Sequence, residues 1–240
     1  MDYEEINYGA MSRNQQLNSS LAFPVLMRKV YLWMTLALVI TGLTSYYVAT
    51  SSALIGLIYG NSGVMWGLCI AELALVIGVS AAINRISLTS ATLLFILYSI
   101  VNGATMSSIF LIYTSESVAM VFLITAATFA AMALYGYTTK KDLTSWGTIL
   151  LMALVGIIIA SIVNMFMRST GLSLILSYAG VVIFVGLTAY DSQKIKQLML
   201  QAPDAGESMQ KLALLGALTL YLDFINLFIH LLSILGDRRN

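Results

Sequence analysis

The chain has 240 residues, of which 59% are hydrophobic and only 10% are charged, and its formal net charge is +1. Soluble domains carry about 25% charged residues, so this chain has too few charges to cover a water-facing surface. A net charge this close to zero gives no reason to expect a nucleic-acid partner. The single cysteine, Cys69, and the single histidine, His230, exclude an intrachain disulfide and a metal site built from several imidazoles.

The first 27 residues are polar and lack the basic start and apolar core of a secretory signal. We therefore expect residues 1–27 to form a polar tail on the cytoplasmic side. Residues 28–240 are expected to form one transmembrane domain.

Seven apolar segments follow the tail, and each approaches the length of about 20 residues that crosses a bilayer as a helix. Short connectors with turn or charge signals separate them, and the longest internal connector, residues 191–211, contains Pro203. The sequence thus predicts an all-α polytopic membrane protein with seven transmembrane helices. They cover residues 30–49, 64–83, 88–112, 118–135, 146–165, 172–190 and 212–235.

The distribution of Lys and Arg favours a cytoplasmic N-terminus, because basic residues concentrate in cytoplasmic segments. The predicted outer segments contain only Arg168 and the pair Arg238 and Arg239. The terminal pair leaves two alternatives: a last segment that crosses fully, or one that re-enters. The 24-residue length favours a full crossing. The predicted inner segments hold Arg13, Arg28, Lys29, Arg85, Lys140, Lys141, Lys194, Lys196 and Lys211.

Three carboxylates fall within or at the ends of the spans, where each costs at least about 2.5–3.5 kcal/mol on insertion scales. Asp223 is the twelfth residue of the last span, and Asn226 and His230 follow it at i+3 and i+7, on one stripe of a helix. Such a stripe favours an ion or proton path in the bundle interior, and a structural hydrogen bond is the alternative. Glu72 lies near the middle of the second span and is either paired or protonated.

Asp191 ends the predicted sixth span at its cytoplasmic end. Lys194 and Lys196 follow closely, so Asp191 is either a boundary residue wetted by the cytoplasm or part of a site. Arg85 ends the second span on the same predicted face and is a candidate ion-pair partner for it.

Two segments resemble signatures of the Bax inhibitor-1 family. LTAYDSQKIK at residues 187–196 resembles the sixth-helix signature of that family, and GALTLYLDFINLFIHLLSILG at residues 216–236 resembles its C-terminal signature. The short N-terminal segment is similar to the bacterial members. The resemblance therefore implies a multi-pass protein of the bacterial inner membrane.

The resemblance also implies six helices wrapped around a central C-terminal helix, and a pH-sensitive leak pathway for cations, calcium above all. Asp191 and Asp223 would be its proton sensor and transient calcium ligands. Arg85 matches by topology the arginine that locks the closed state, and Glu72 matches an acidic residue of the second span. The chain departs from the family at Ser233, where many members carry an arginine that could pair with that acidic residue.

Chemically, two carboxyls that share a proton cannot both ionise cheaply, and calcium prefers oxygen ligands. These properties agree with the pathway that the resemblance implies. On that resemblance we expect a calcium leak channel rather than an enzyme, with calcium ions and protons as its small partners, the lipid bilayer around it and no cofactor. The sequence does not identify a protein partner.

Three alternatives remain. A proton-coupled transporter would also use buried carboxylates and a histidine. An intramembrane aspartyl protease would use both aspartates, but its Gly-x-Gly-Asp motif is missing because Tyr221 and Leu222 precede Asp223. A regulatory scaffold is compatible with the same sequence.

Overall fold

A computed structural model describes residues 3–239, with side chains from residue 21 onward, and this part of the chain is helical without a β-sheet. Nine helices follow one another in it. They are α1 (Tyr3–Thr50), α2 (Ser52–Tyr59), α3 (Ser62–Ala82), α4 (Leu88–Met106), α5 (Ser108–Ile112), α6 (Ser115–Thr138), α7 (Thr144–Met167), α8 (Thr170–Leu200) and α9 (Glu207–Leu235).

Seven stretches of these helices are long and apolar enough to cross a membrane, which confirms the predicted fold class and the number of spans. The third span combines α4 and α5. α1 continues through Pro24 without a break, and its apolar part begins at Leu21. The division of the chain at residue 27 into a cytoplasmic tail and a membrane domain stays a prediction.

Hydroxyl side chains fix where several helices begin. Ser51, Ser87, Thr114 and Ser169 each accept a hydrogen bond from the backbone N–H three residues later, at 3.1–3.4 Å. These bonds satisfy N–H groups that have no partner inside the helix and that lipid could not satisfy. The turns between spans can therefore be short.

The predicted connector over residues 191–211 is wrong. α8 continues through Asp191 to Leu200, and only residues 201–206 separate it from α9. The polar residues after Tyr190 resemble a membrane boundary, but Asp191, Ser192 and Gln193 are buried against other helices. Nothing in that stretch stops a helix, because the proline, Pro203, comes only after Leu200.

α9 is the most enclosed span: 67% of its apolar window is buried, against at most 39% in any other span. It packs against α1, α4, α6 and α8, while α3 packs mainly on α4 and α7 mainly on α8. In residues 3–239, four spans are thus the main neighbours of α9, and two lie outside them. This arrangement is looser than the ring of six helices that the resemblance implies.

Contacts at both ends of α9 show that it extends along the full length of the third span. At its start, the Glu207 carboxylate accepts a hydrogen bond from the N–H of Leu88, at the start of α4, at 3.0 Å. Beyond its end, Arg239 donates its N–H to the carbonyl of Ile112, at the end of α5, at 2.8 Å. This geometry matches a full crossing of the last segment and not a re-entrant one.

Candidate functional site

The structure brings the carboxyl groups of Asp191 of α8 and Asp223 of α9 close to each other, where the two helices pack together. Asp191 is 9% exposed and Asp223 is 5% exposed. Oδ2 of Asp223 has no hydrogen-bond partner among the described atoms. The two aspartates, which we call the aspartate pair, therefore form an enclosed polar centre between two spans.

The hairpin of α8 and α9 positions this pair. Asp191 lies nine residues before the end of α8, about 14 Å inside the helix at 1.5 Å per residue. Asp191 is therefore inside its helix and not at the helix end. The sequence placed Asp223 at mid-span and Asp191 at the end of its span, and the continuation of α8 to Leu200 reduces this difference in depth.

Close packing holds α8 in place around Asp191. A methyl group added to Gly136 of α6 would overlap the carbonyl oxygen of Ala189, and one added to Gly147 of α7 would overlap the ring of Tyr190. The two residues just before Asp191 thus lie against glycines of two neighbouring spans. Small residues permit such close approach in lipid, where no hydrophobic drive brings helices together.

Polar side chains just after Asp191 bind the end of α6 and the turn that follows it. Gln193 accepts a hydrogen bond from the N–H of Leu143 at 2.9 Å and donates one to the carbonyl of Lys141 at 2.7 Å. Lys196 donates to the carbonyl of Tyr137 at 2.7 Å. These residues of the sixth-helix signature therefore fasten the turn between α6 and α7 to the helix that carries Asp191.

A second polar network lies on the opposite face of α9. The Tyr221 hydroxyl donates to Oδ1 of Asn102 at 2.9 Å and lies 2.7 Å from the hydroxyl of Thr41. Thr105, one turn after Asn102 on α4, donates its hydroxyl hydrogen to the carboxylate of Glu72. Glu72 is thus connected to the last helix through α4, whereas the sequence indicated only that it is either paired or protonated.

The other predicted residues do not join the aspartate pair. Arg85 is exposed in the turn after α3. Among the described side chains, the ion pair found is Lys211 with Glu207, at 3.3 Å, so the expected contact of Arg85 with Asp191 is not present. Asn226 donates to the carbonyl of Leu222 on its own helix at 2.8 Å.

His230 and Ser233 face α8, further along the hairpin. The His230 ring stacks on Phe184, with the ring centroids 5.7 Å apart, and lies against Gly180. Ser177 donates its hydroxyl hydrogen to Ser233 at 2.9 Å. The stripe of Asp223, Asn226 and His230 therefore contributes to helix packing and does not form one continuous chain of hydrogen bonds.

Sequence reasoning missed Tyr221, Gln193 and the bonds that they form. Tyr221 gave a weak signal, since it is a hydroxyl-bearing side chain in a span that otherwise reads as apolar around Asp223. Gln193 gave a clearer one, because an amide inside a family signature has a partner when it is buried. No pattern in the sequence specified which backbone groups these side chains bind.

Comparison with known proteins places these features in a family. Residues 24–240 match the family described as Inhibitor of apoptosis-promoting Bax1. The chain is 50% identical to the inner membrane protein YbhL of Escherichia coli strain K12 over 214 aligned residues. These residues make up 89% of this chain and 92% of the relative. It is 47% identical to an uncharacterized protein of Borreliella burgdorferi, over 88% of this chain and 91% of the relative. An uncharacterized protein of Rickettsia prowazekii, RP147, is 42% identical over 89% of this chain and 90% of its own length.

Proposed function

We propose that this chain, which belongs to the Bax inhibitor-1 family of multi-pass membrane proteins, is a calcium leak channel gated by protonation of the aspartate pair. The observation that carries the proposal is the contact between two buried carboxyl groups of adjacent spans, Asp191 and Asp223. The following steps derive gating from that contact.

Two carboxyl groups in contact act as one titrating unit. They form a hydrogen bond only while one of them carries a proton, since two ionised carboxylates can only accept. Loss of this proton places two negative charges side by side in a medium of low dielectric constant, which is costly. The pair then separates or binds a cation, and either response moves α8 relative to α9.

Calcium suits the ionised pair, because it takes carboxylate and carbonyl oxygens in flexible geometry. Among the described residues, Oδ2 of Asp223 has no hydrogen-bond partner, so this oxygen can accept a cation or a water molecule. Asp191 and Asp223 would therefore act both as proton sensor and as transient ligands of the permeating ion.

The test is calcium flux into liposomes loaded with a calcium dye, measured in steps from about pH 6 to pH 8, because two interacting carboxyl groups release their protons in two separate steps. We expect Asp223→Asn to abolish the pH dependence and Asp191→Asn to flatten it, because an amide cannot take part in the titration. Asp204→Asn is the matched control, since Asp204 is exposed in the connector between the same two helices. A wild-type pH profile in either pair variant, at normal expression, would show that these aspartates are not the sensor.

A proton-coupled transporter is the second candidate, and the interruption of the third span favours it. Between α4 and α5, the N–H groups of Ser107 and Phe110 bond three residues back instead of four. The Tyr59 hydroxyl donates to the carbonyl of Thr105 at 2.9 Å and accepts from the N–H of Ser108 at 2.8 Å. Interrupted spans near buried carboxylates are common in transporters. Calcium accumulation against its gradient, driven by a proton gradient, would decide for this candidate.

We further propose that the protein lies in the bacterial inner membrane with its N-terminus in the cytoplasm. The name of the Escherichia coli relative supports the membrane. The excess of Lys and Arg in the alternate connectors supports the orientation.

A further inference from the structure

A cavity of about 390 Å³ lies on the side of α9 that faces away from α8. α1 and α6 contribute its two walls, α5 lies at one end, and Phe224, Ile225 and Phe228 of α9 contribute its base. We call this space the lateral cavity. It does not include Asp191 or Asp223, although Phe224 directly follows Asp223 in α9.

The lining of the lateral cavity is almost entirely apolar. Its polar side chains are three hydroxyls, those of Thr41, Ser45 and Ser115. The Thr41 hydroxyl is already engaged, because it donates to the carbonyl of Ser99 at 2.9 Å and contacts the hydroxyl of Tyr221. A buried water molecule needs two to four polar partners, so this lining is unfavourable for water.

The lateral cavity is continuous with the lipid-facing surface of the bundle. Its rim includes Leu123, which is 68% exposed, and Phe122, which is 40% exposed, and both project from a membrane span. Gly42 and Ala119, on the facing walls, are also exposed. In a bilayer, the groups next to this rim are lipid acyl chains, so the occupant with access to the cavity is already apolar.

We propose that the lateral cavity binds an acyl chain of a membrane phospholipid. The α1 wall runs from Leu38 to Ser45, which corresponds to about 10 Å at 1.5 Å per residue, so that part of one chain fits along it. An acyl chain that enters makes dispersion contacts with the side chains that line the cavity. The chain comes from lipid and not from water, so its entry requires no desolvation. The bound chain contacts α9 one residue from Asp223.

Gly42 offers a direct way to fill the cavity. A Cβ atom added there meets no atom within 4 Å, and Gly42 lines the cavity, so this position has room for a larger side chain. Gly42→Phe therefore blocks the cavity from the α1 wall, and Ala119→Phe blocks it from the α6 wall. Gly78→Phe is the matched control, because Gly78 of α3 also has no atom within 4 Å but does not line the cavity.

The probe is a phosphatidylethanolamine with a photoreactive diazirine on one acyl chain. The full-length protein is placed in liposomes of phosphatidylethanolamine and phosphatidylglycerol, irradiated, and mapped by mass spectrometry. We expect adducts at Ile225 or Phe228, which are each 6% exposed and line the cavity. Adducts at Ile159 of α7, a lipid-facing residue that is 58% exposed, provide the internal reference.

Relative to that reference, both filling variants should lower the α9 adducts by at least about fivefold, since a packed site leaves no room for the chain. Gly78→Phe should leave the α9 adducts unchanged. Absence of α9 adducts in the wild type would overturn the proposal, as would undiminished adducts in both filling variants. A dimer in native mass spectra, together with α9 residues that lipid does not label, would assign the cavity to a second copy and overturn it as well.

Discussion

The hydroxyl of Tyr221 gives a sharp test of the packing around α9. Tyr221 is completely buried, and its ring packs edge-to-face on Phe95 and Tyr98, with centroids 5.9 and 5.8 Å away. Tyr221→Phe keeps this ring packing and removes only the hydroxyl that joins Asn102 to Thr41. Any loss of stability therefore reports on the hydrogen bonds alone.

The magnitude follows from the number of bonds and their surroundings. Hydrogen bonds between membrane helices contribute about 0.6 kcal/mol each on average, so loss of the bond from Tyr221 to Asn102 alone gives about 0.6 kcal/mol. Oδ1 of Asn102 loses its donor in the variant, and an unsatisfied buried acceptor costs about 1–3 kcal/mol. Thr41 keeps its bond to the carbonyl of Ser99, which limits the loss on that side. We expect Tyr221→Phe to lower the free energy of unfolding by about 1–2 kcal/mol.

The measurement is thermal unfolding in detergent micelles of fixed lipid content. At about 2–4 °C per kcal/mol for a chain of this size, the midpoint should fall by about 2–8 °C. Tyr47→Phe is the matched control, because Tyr47 lies on the same helix as Thr41 and is 68% exposed. In an Asn102→Ala background the effect of Tyr221→Phe should shrink, since residues that share a bond are not additive. Equal midpoints for Tyr221→Phe and Tyr47→Phe would refute the reasoning.

Gly136→Ala should destabilise the protein by about 1–3 kcal/mol, because the added methyl group would overlap the backbone of α8. Gly156→Ala is the control and should not destabilise it, since a methyl group there meets no atom within 4 Å. Equal unfolding midpoints for the two variants would contradict this prediction. Arg85→Ala should leave the calcium leak at neutral pH unchanged, since Arg85 makes no ion pair with the aspartate pair among the described side chains. A raised leak in the liposome assay would contradict this and would show that Arg85 stabilises the closed state. A cysteine placed at position 205 and one placed at position 238, each in a protein without the native cysteine, should react with a membrane-impermeant reagent from opposite sides of the membrane. The reason is that α9 crosses the membrane fully between the two positions. Labelling of both from the same side would exclude that topology.

The number of spans could be predicted from the sequence because a span is recorded in about 20 consecutive residues. The end of the sixth span could not. Hydropathy does not distinguish a polar residue that faces water from one that faces another helix, so Asp191 through Gln193 read as a boundary although they are buried. The family signatures pointed to Asp191 and Asp223. Their position inside the bundle became clear only from the structure, in which α8 continues beyond Asp191 to Leu200.

The network of Tyr221 and Glu72 could not be predicted for a different reason. Its members come from α1, α3, α4 and α9, and their contact depends on the angles and registers of four helices. Hydroxyl and amide residues also occur on other helix faces, where they bond only to their own backbone, as Thr35 and Thr138 do. Composition and periodicity do not separate the two cases.

The enclosed position of α9 has a consequence for how the protein is made. α9 is synthesised after the other six spans. Until α9 inserts, lipid covers the faces of those spans that will later contact it. The connector of residues 201–206 is too short to separate α8 and α9 widely, which lets the two insert as one hairpin. Asp223 then enters the membrane beside Asp191, so that the two residues of the aspartate pair are neighbours from insertion onward. Of the seven spans, the most enclosed one is thus the last to join the others.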